Sequence, residues 1–150
     1  MDHLIKELNQ TFNNNIQDMI PVFKKHNLEY LKSIEFDTDE TKCYQRKLLY
    51  QNDNYEIILI KWKKKSECQI HDHSENGCLL KVLDGEIKEY LYDQELNLIN
   101  ENKYQKDDIN YIDNKIGFHK IKNLHLENTY SIHLYSPPNH KINYFKNNIL

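Results

Sequence analysis

Two regimes of apolar spacing divide the chain. From Leu4 to Phe23, apolar side chains return every third or fourth position, at Leu4, Ile5, Leu8, Phe12, Ile16, Met19, Ile20 and Phe23. That is the spacing of a helix packed along one face. The run Asn13-Asn14-Asn15 divides the segment into two helices, and Pro21 either sits in the first turn of the second or kinks it. A short third helix is expected over 28–34, followed by a polar connection over 37–41.

After residue 43 the pattern changes. Segments 44–50, 55–63, 78–83, 86–92, 109–112, 116–123 and 129–136 are rich in β-branched and aromatic residues and read as strands. Asp84-Gly85 lies between two of them and reads as a hairpin turn. Pro137-Pro138 ends the last. Many short strands separated by turn signals indicate an all-β sandwich or barrel. Residues 139–150 either pack as an extended arm or fray. No repeat and no linker is visible, so the expected organisation is one mainly β domain over 1–150. Its helices occupy 1–36, its β-barrel 43–138 and its arm 139–150.

Two stretches carry candidate chemistry. In His71-Asp72-His73, residues two apart on a strand project to the same face, so the two imidazoles point together. A third histidine from a separate strand would complete a metal site. His119 is the candidate, with Gly117 before it and Asn123 after it in a strand-like setting. In Ser131-Ile132-His133-Leu134-Tyr135 the same rule lines up Ser131, His133 and Tyr135 as a polar relay. A lone His-x-His is weak, and His3, His26, His125 and His140 read as surface or packing residues. Taken alone, Cys78 reads as a small buried apolar residue and Arg46 as a surface salt-bridge residue. The histidine trio together with the Ser-His-Tyr row is harder to dismiss.

Bulk properties narrow the field. The hydrophobic share is 39% and alanine is absent, but 11% aromatic content argues against disorder. Mean hydropathy is −0.86 and the pI is near 6.2. With a net charge of −3 and no basic stripe, nucleic acid is not an expected partner. The dense positive patch Lys61-Trp62-Lys63-Lys64-Lys65 reads as a strand end running into a solvated loop. No apolar run has the length of a membrane span, and the first residues lack a signal segment, so a cytoplasmic protein is expected. Cys43, Cys68 and Cys78 form no disulfide framework.

The pattern His71-x-His73, Gly85 and Gly117-x-His119-x-x-x-Asn123 resembles the two cupin motifs. Cupins usually carry a glutamate a few residues after the second histidine, where this chain has Cys78. Three neutral ligands leave the full charge on a divalent metal and favour anionic ligands from substrate, such as a thiolate and reduced dioxygen. Over most of its length the chain resembles the cysteine dioxygenase family. The resemblance is carried by Tyr44-Gln45-Arg46, Trp62, His71-Asp72-His73-Ser74, Cys78, Leu80-Lys81-Val82-Leu83-x-Gly85, Ile116-Gly117-Phe118-His119 and Ser131-Ile132-His133-Leu134-Tyr135-Ser136-Pro137-Pro138. Leu4-Ile5-Lys6-Glu7-Leu8 is similar to the family's first helix.

The resemblance implies a cupin barrel, a double-stranded β-helix or jelly roll, preceded by α-helices. It implies a thiol dioxygenase converting L-cysteine and dioxygen to cysteine sulfinic acid, with Fe(II) bound by His71, His73 and His119. Arg46 would clamp the substrate carboxylate, a task suited to a bidentate guanidinium, with Tyr44 beside it. Tyr135 would aim its hydroxyl at the bound substrate, His133 would orient that hydroxyl, and Ser131 would orient His133. Cys78 and Tyr135 would join in a thioether crosslink, a cofactor made from the protein itself. A monomer without nucleic-acid or membrane partners is expected. The chain departs from the family in being shorter past Pro138, in lacking a cysteine after the two prolines, and in carrying Gly77 before Cys78. These differences bear on the pocket wall and its C-terminal cover. The alternatives are a dioxygenase for another small thiol such as 3-mercaptopropionate, a non-catalytic metal-binding cupin sensor, and a zinc or nickel cupin enzyme.

Overall fold

The structure, a computed structural model, describes residues 1–37 and 44–146. Most of the expected 37–41 connection, Cys43 and the end of the arm at 147–150 lie outside the described residues.

The helical region follows the apolar spacing. α1 (Asp2–Thr11) buries Leu4 and Leu8, one turn apart. It ends where Asn13 takes over hydrogen bonding: its side chain accepts from the Asn15 N–H at 2.7 Å and donates to Asp18 at 2.9 Å. A 3-10 turn over Ile16–Met19 runs directly into α2 (Ile20–Lys25). Pro21 sits at the start of α2, where a missing N–H costs nothing. The expected third helix is a 3-10 turn over Glu29–Ser33. A ten-residue helix is marginal alone. Burial of Leu4, Leu8 and Phe23, at roughly 1.5–3 kcal/mol each, holds this layer against the sheet.

Among the described residues ten strands follow: β1 (Tyr44–Gln51), β2 (Glu56–Trp62), β3 (Ile70–His71), β4 (Cys78–Asp84), β5 (Glu86–Tyr92), β6 (Leu98–Gln105), β7 (Ile109–Ile112), β8 (Phe118–Asn123), β9 (Thr129–Tyr135) and β10 (Tyr144–Phe145). They form two five-stranded sheets, ordered β1-β2-β9-β4-β7 and β10-β3-β8-β5-β6, with antiparallel neighbours. β6 and β10 were not expected, and the strand expected to carry both His71 and His73 is the short β3, which ends at His71 and leaves His73 beyond it. β10 lies within the 139–150 arm and pairs with β3, so that this part of the arm packs in extended form.

The Asp84-Gly85 turn does not make a hairpin. β4 pairs with β7 and β9, whereas β5 pairs with β6 and β8. Gly85, at φ +95°, turns the chain from one sheet into the other, and a Cβ there would lie 2.1 Å from Thr129 Oγ1. A glycine dipeptide permits both geometries, and sheet packing selects the corner.

Strands β2, β4 and β9 are covered on both faces. One row, with Ile57, Leu59, Leu79, Ile132 and Leu134, packs under the helices. The alternate row, with Ile58, Ile60, Leu80 and Val82, faces Ile87 and Ile121 of the second sheet. This explains the nearly continuous burial of β2 and β4. It also sends Ser131, His133 and Tyr135 into the space between the sheets, since they alternate with Ile132 and Leu134. On the helix side, the buried Lys81 ammonium donates to the carbonyls of Phe23 at 2.7 Å and His26 at 2.8 Å, capping the end of α2. Among the described residues no helix is long and apolar enough to cross a membrane.

Candidate metal centre

His71 on β3 and His119 on β8 are direct cross-strand partners, and their ring centroids lie 4.7 Å apart. His73, two residues on, brings its ring to 5.3 Å from His71 and 4.5 Å from His119. One nitrogen from each ring falls within 4.8 Å of the others. The trio expected from sequence is therefore assembled.

The hydrogen bonding fits a metal ion. The His71 Nδ1–H donates to the Gln69 carbonyl at 2.8 Å and the His119 Nδ1–H to Glu89 at 2.8 Å. Both Nε2 atoms are thereby left as bare lone pairs. Both ring nitrogens of buried His73 have no hydrogen-bond partner among the described residues. A buried polar atom in that state is costly unless something else satisfies it. Burial, and next the neighbouring His119, pushes His71 down to about 3, and burial holds His73 well below the ordinary histidine range. His71 and His73 are therefore neutral and ready to ligate at neutral pH. Three imidazoles suit iron, zinc, nickel or copper.

Glu89 is the residue of the candidate site that sequence reasoning missed. It is only 3% exposed. Its carboxylate also accepts from Asn102 at 3.0 Å, Tyr104 at 3.3 Å and Asn110 at 2.8 Å. Burial alone would raise its pKa, but donation from His119, Asn102 and Asn110 outweighs this and holds the carboxyl below its usual range. A negative charge thus stands one hydrogen bond behind His119, which revises the expectation of wholly uncompensated ligands. The signal was present: Glu89 occupies the same strand face as buried Ile87.

Ser131, His133 and Tyr135 form a continuous chain. Trp62 Nε1–H donates to Ser131 Oγ at 2.9 Å, Ser131 Oγ lies 2.8 Å from His133 Nε2, and His133 Nδ1 lies 3.1 Å from the Tyr135 hydroxyl. Its direction follows from donor accounting. Indole can only donate, so Ser131 accepts from Trp62. If Ser131 also accepted from His133, its own buried hydroxyl hydrogen would have no acceptor among the described residues. Ser131 therefore donates to Nε2, and Nδ1–H donates to the Tyr135 oxygen. The phenol hydrogen remains free to point into the pocket. Because Trp62 cannot accept, the chain orients the phenol and does not conduct protons out through that end. Burial keeps His133 neutral, and burial with the nearby Cys78 thiol keeps Tyr135 protonated.

Tyr44, Arg46, Cys78, His133 and Tyr135 line the same pocket as the three histidines. Cys78 is directly opposite Tyr135 across the β4–β9 pair, and its thiol is pushed up by burial. Arg46 is exposed at the pocket mouth, its guanidinium carbon 5.6 Å from the Tyr135 ring centroid. Tyr44 packs on Trp62 with centroids 4.9 Å apart. Gly77, at φ +93°, is obligatory here, since a Cβ would meet the Ile112 carbonyl at 2.6 Å. His140 is not a simple surface residue: it donates to Asp72 at 2.9 Å.

Two facing antiparallel sheets with three convergent imidazoles between them define a cupin with a cluster suited to a metal ion. The family model described as Cysteine dioxygenase type I matches residues 3–148, and the chain belongs to that family. It is 28% identical to cysteine dioxygenase type 1 of Danio rerio, over 92% of this chain and 75% of that protein. It is 30% identical to cysteine dioxygenase type 1 of Rattus norvegicus, over 82% of this chain and 64% of that protein, so it spans less than two thirds of the rat relative. A cupin superfamily protein of Desulfitobacterium hafniense superposes with a TM-score of 0.55 at 15% identity, covering 74% of this chain and 88% of that one. That likeness concerns the fold.

Proposed function

We propose that the protein is a thiol dioxygenase that converts L-cysteine and dioxygen to cysteine sulfinic acid, with Fe(II) held by His71, His73 and His119. The observation that carries this reading is the convergence in one pocket of three imidazoles, an oriented phenol and a guanidinium at the mouth. Bound ferrous iron would supply coordination positions for the substrate thiolate and dioxygen and the route for electrons between them. No external reductant is required: the sulfur loses four electrons and dioxygen gains four.

Arg46 at the mouth pairs with the substrate carboxylate, and Tyr44 flanks that pairing. Tyr135 donates its free hydrogen to oxygen arriving at sulfur. His133 and Ser131 hold that hydrogen in direction. Cys78 faces Tyr135 in register, which supports a thioether between them. Forming it removes one hydrogen from the thiol and one from the ring, and dioxygen takes the two electrons and two protons. In a cytoplasmic setting Cys68 and an uncrosslinked Cys78 would stay as free thiols.

One observation favours a second substrate. Among the described residues lining the pocket there is a cation for a carboxylate but no carboxylate for a substrate ammonium. 3-Mercaptopropionate, which lacks the amine, satisfies Arg46 equally. The decisive experiment incubates iron-loaded protein with each thiol under ¹⁸O₂ and analyses products by mass spectrometry. Cysteine sulfinate carrying both labelled oxygens is expected. Oxygen uptake without sulfinate, or no turnover of any thiol, would reject the reading.

A further inference from the structure

We infer that the C-terminal strap over residues 137–146 is the size filter of this pocket, with Tyr144 as its specificity-determining wall. This rests on the thiol-oxidising reading above and adds which thiols are turned away.

The strap is pinned beside the metal cluster. β10 pairs with β3 so that Tyr144 lies directly opposite His71, with ring centroids 6.3 Å apart. Asp72, between two of the three histidines, latches the segment. Its carboxylate accepts from the Asn143 N–H at 2.9 Å, the Asn143 side-chain amide at 2.8 Å and His140 Nε2 at 2.9 Å. The Asp72 N–H donates to the Asn143 carbonyl at 3.1 Å. Phe145 stacks on Phe118, next to His119, with centroids 4.6 Å apart. Four hydrogen bonds and an aromatic stack thus define where residue 144 sits.

That position closes the carboxylate end of the pocket. Tyr44 and Arg46 are two apart on β1 and project to the same side. The Tyr144 hydroxyl meets the Tyr44 hydroxyl at 3.5 Å. The two phenols therefore bridge from the strap to the barrel beside Arg46, and Tyr144 lines the pocket while half exposed at its rim. A thiol amino acid ends at its carboxylate and fits behind the bridge. A thiol whose carboxyl continues as an amide, as in L-cysteinylglycine, drives a peptide unit into the phenol pair.

Anaerobic calorimetric titration of the Fe(II)-loaded protein with L-cysteine and with L-cysteinylglycine measures this without turnover. Tyr144→Ala should shift the binding preference toward the dipeptide by about tenfold or more, the scale on which pocket walls discriminate added groups. Tyr144→Phe, which keeps the ring, should leave the preference as in the parent. If Tyr144→Ala does not fold, the double variant His140→Ala/Asn143→Ala cuts two latch bonds and should shift the preference in the same direction. Cysteine binding with an unchanged preference in the folded variant overturns the filter alone. A parent protein that binds neither thiol overturns the substrate reading and the filter with it.

Discussion

Glu89 offers the sharpest test of how the proposed metal centre is tuned. Replacing it with glutamine removes the charge and keeps the shape. All four partners now donate to the carboxylate: His119 and Asn110 to one oxygen, Asn102 and Tyr104 to the other. Tyr104 can rotate and Asn102 can flip, so both can accept from a new amide N–H₂. His119 cannot, because a ring ligating through Nε2 must donate from Nδ1. The amide oxygen therefore docks on His119, the geometry survives, and the lost charge is isolated. Alanine removes both and strands buried donors at about 1–3 kcal/mol each. Partners behind a ligand histidine typically contribute about 10–100-fold in metal affinity. Glu89→Gln should fall near the lower bound and Glu89→Ala near the upper, with only alanine losing stability without metal. Competition against a chelator gives the affinities, and thermal unfolding without metal gives the stability. Equal metal affinity in the parent and both variants would refute the argument that Glu89 acts through His119.

Three further outcomes are expected. Arg46→Ala should raise KM for L-cysteine by roughly five- to thirtyfold, about 1–2 kcal/mol, because a charge-assisted bond at an exposed mouth is weakened by solvent; steady-state kinetics with unchanged KM would remove Arg46 from carboxylate recognition. Intact mass spectrometry after turnover should reveal a species two hydrogens lighter that is absent from Cys78→Ala; finding only the unmodified mass in the parent would reject the thioether. Lys81→Met should cost about 1–3 kcal/mol in urea unfolding, because two carbonyls at the end of α2 lose their donor. Burial holds the Lys81 pKa below its ordinary value, so the unfolded chain binds that proton more tightly. The Lys81 contribution to stability therefore rises as pH climbs from the depressed folded value to the ordinary lysine value, and Lys81→Met should lack that rise.

Much of this protein is written in short-range order. The three- and four-residue spacing from Leu4 to Phe23 determined which helix faces are buried, because helical periodicity depends only on local geometry. The two-residue spacing at Ser131/His133/Tyr135 likewise determined which site residues share a face, whereas His73 lies beyond the end of β3 and is held by Asn114 through its backbone. β6 was not legible, because its exposed edge has no buried row for an alternation to mark. β3 and β10 are two residues each and exist through pairing, β10 with β3 and β3 with β8 as well.

The remaining features belong to tertiary structure. Asp84-Gly85 encodes a turn, but which sheet receives β5 depends on pairing with β8, whose partners lie 26 to 36 residues further along the chain. Glu89 meets His119 and Asp72 meets Asn143 only through strand neighbours distant in the chain. The sequence by itself determined the inventory of candidate metal-binding and orienting groups and the face that carries Ser131, His133 and Tyr135. Register between distant strands decided which carboxylate stands behind the cluster and which phenol covers it, because contact partners are set by the packing of two whole sheets.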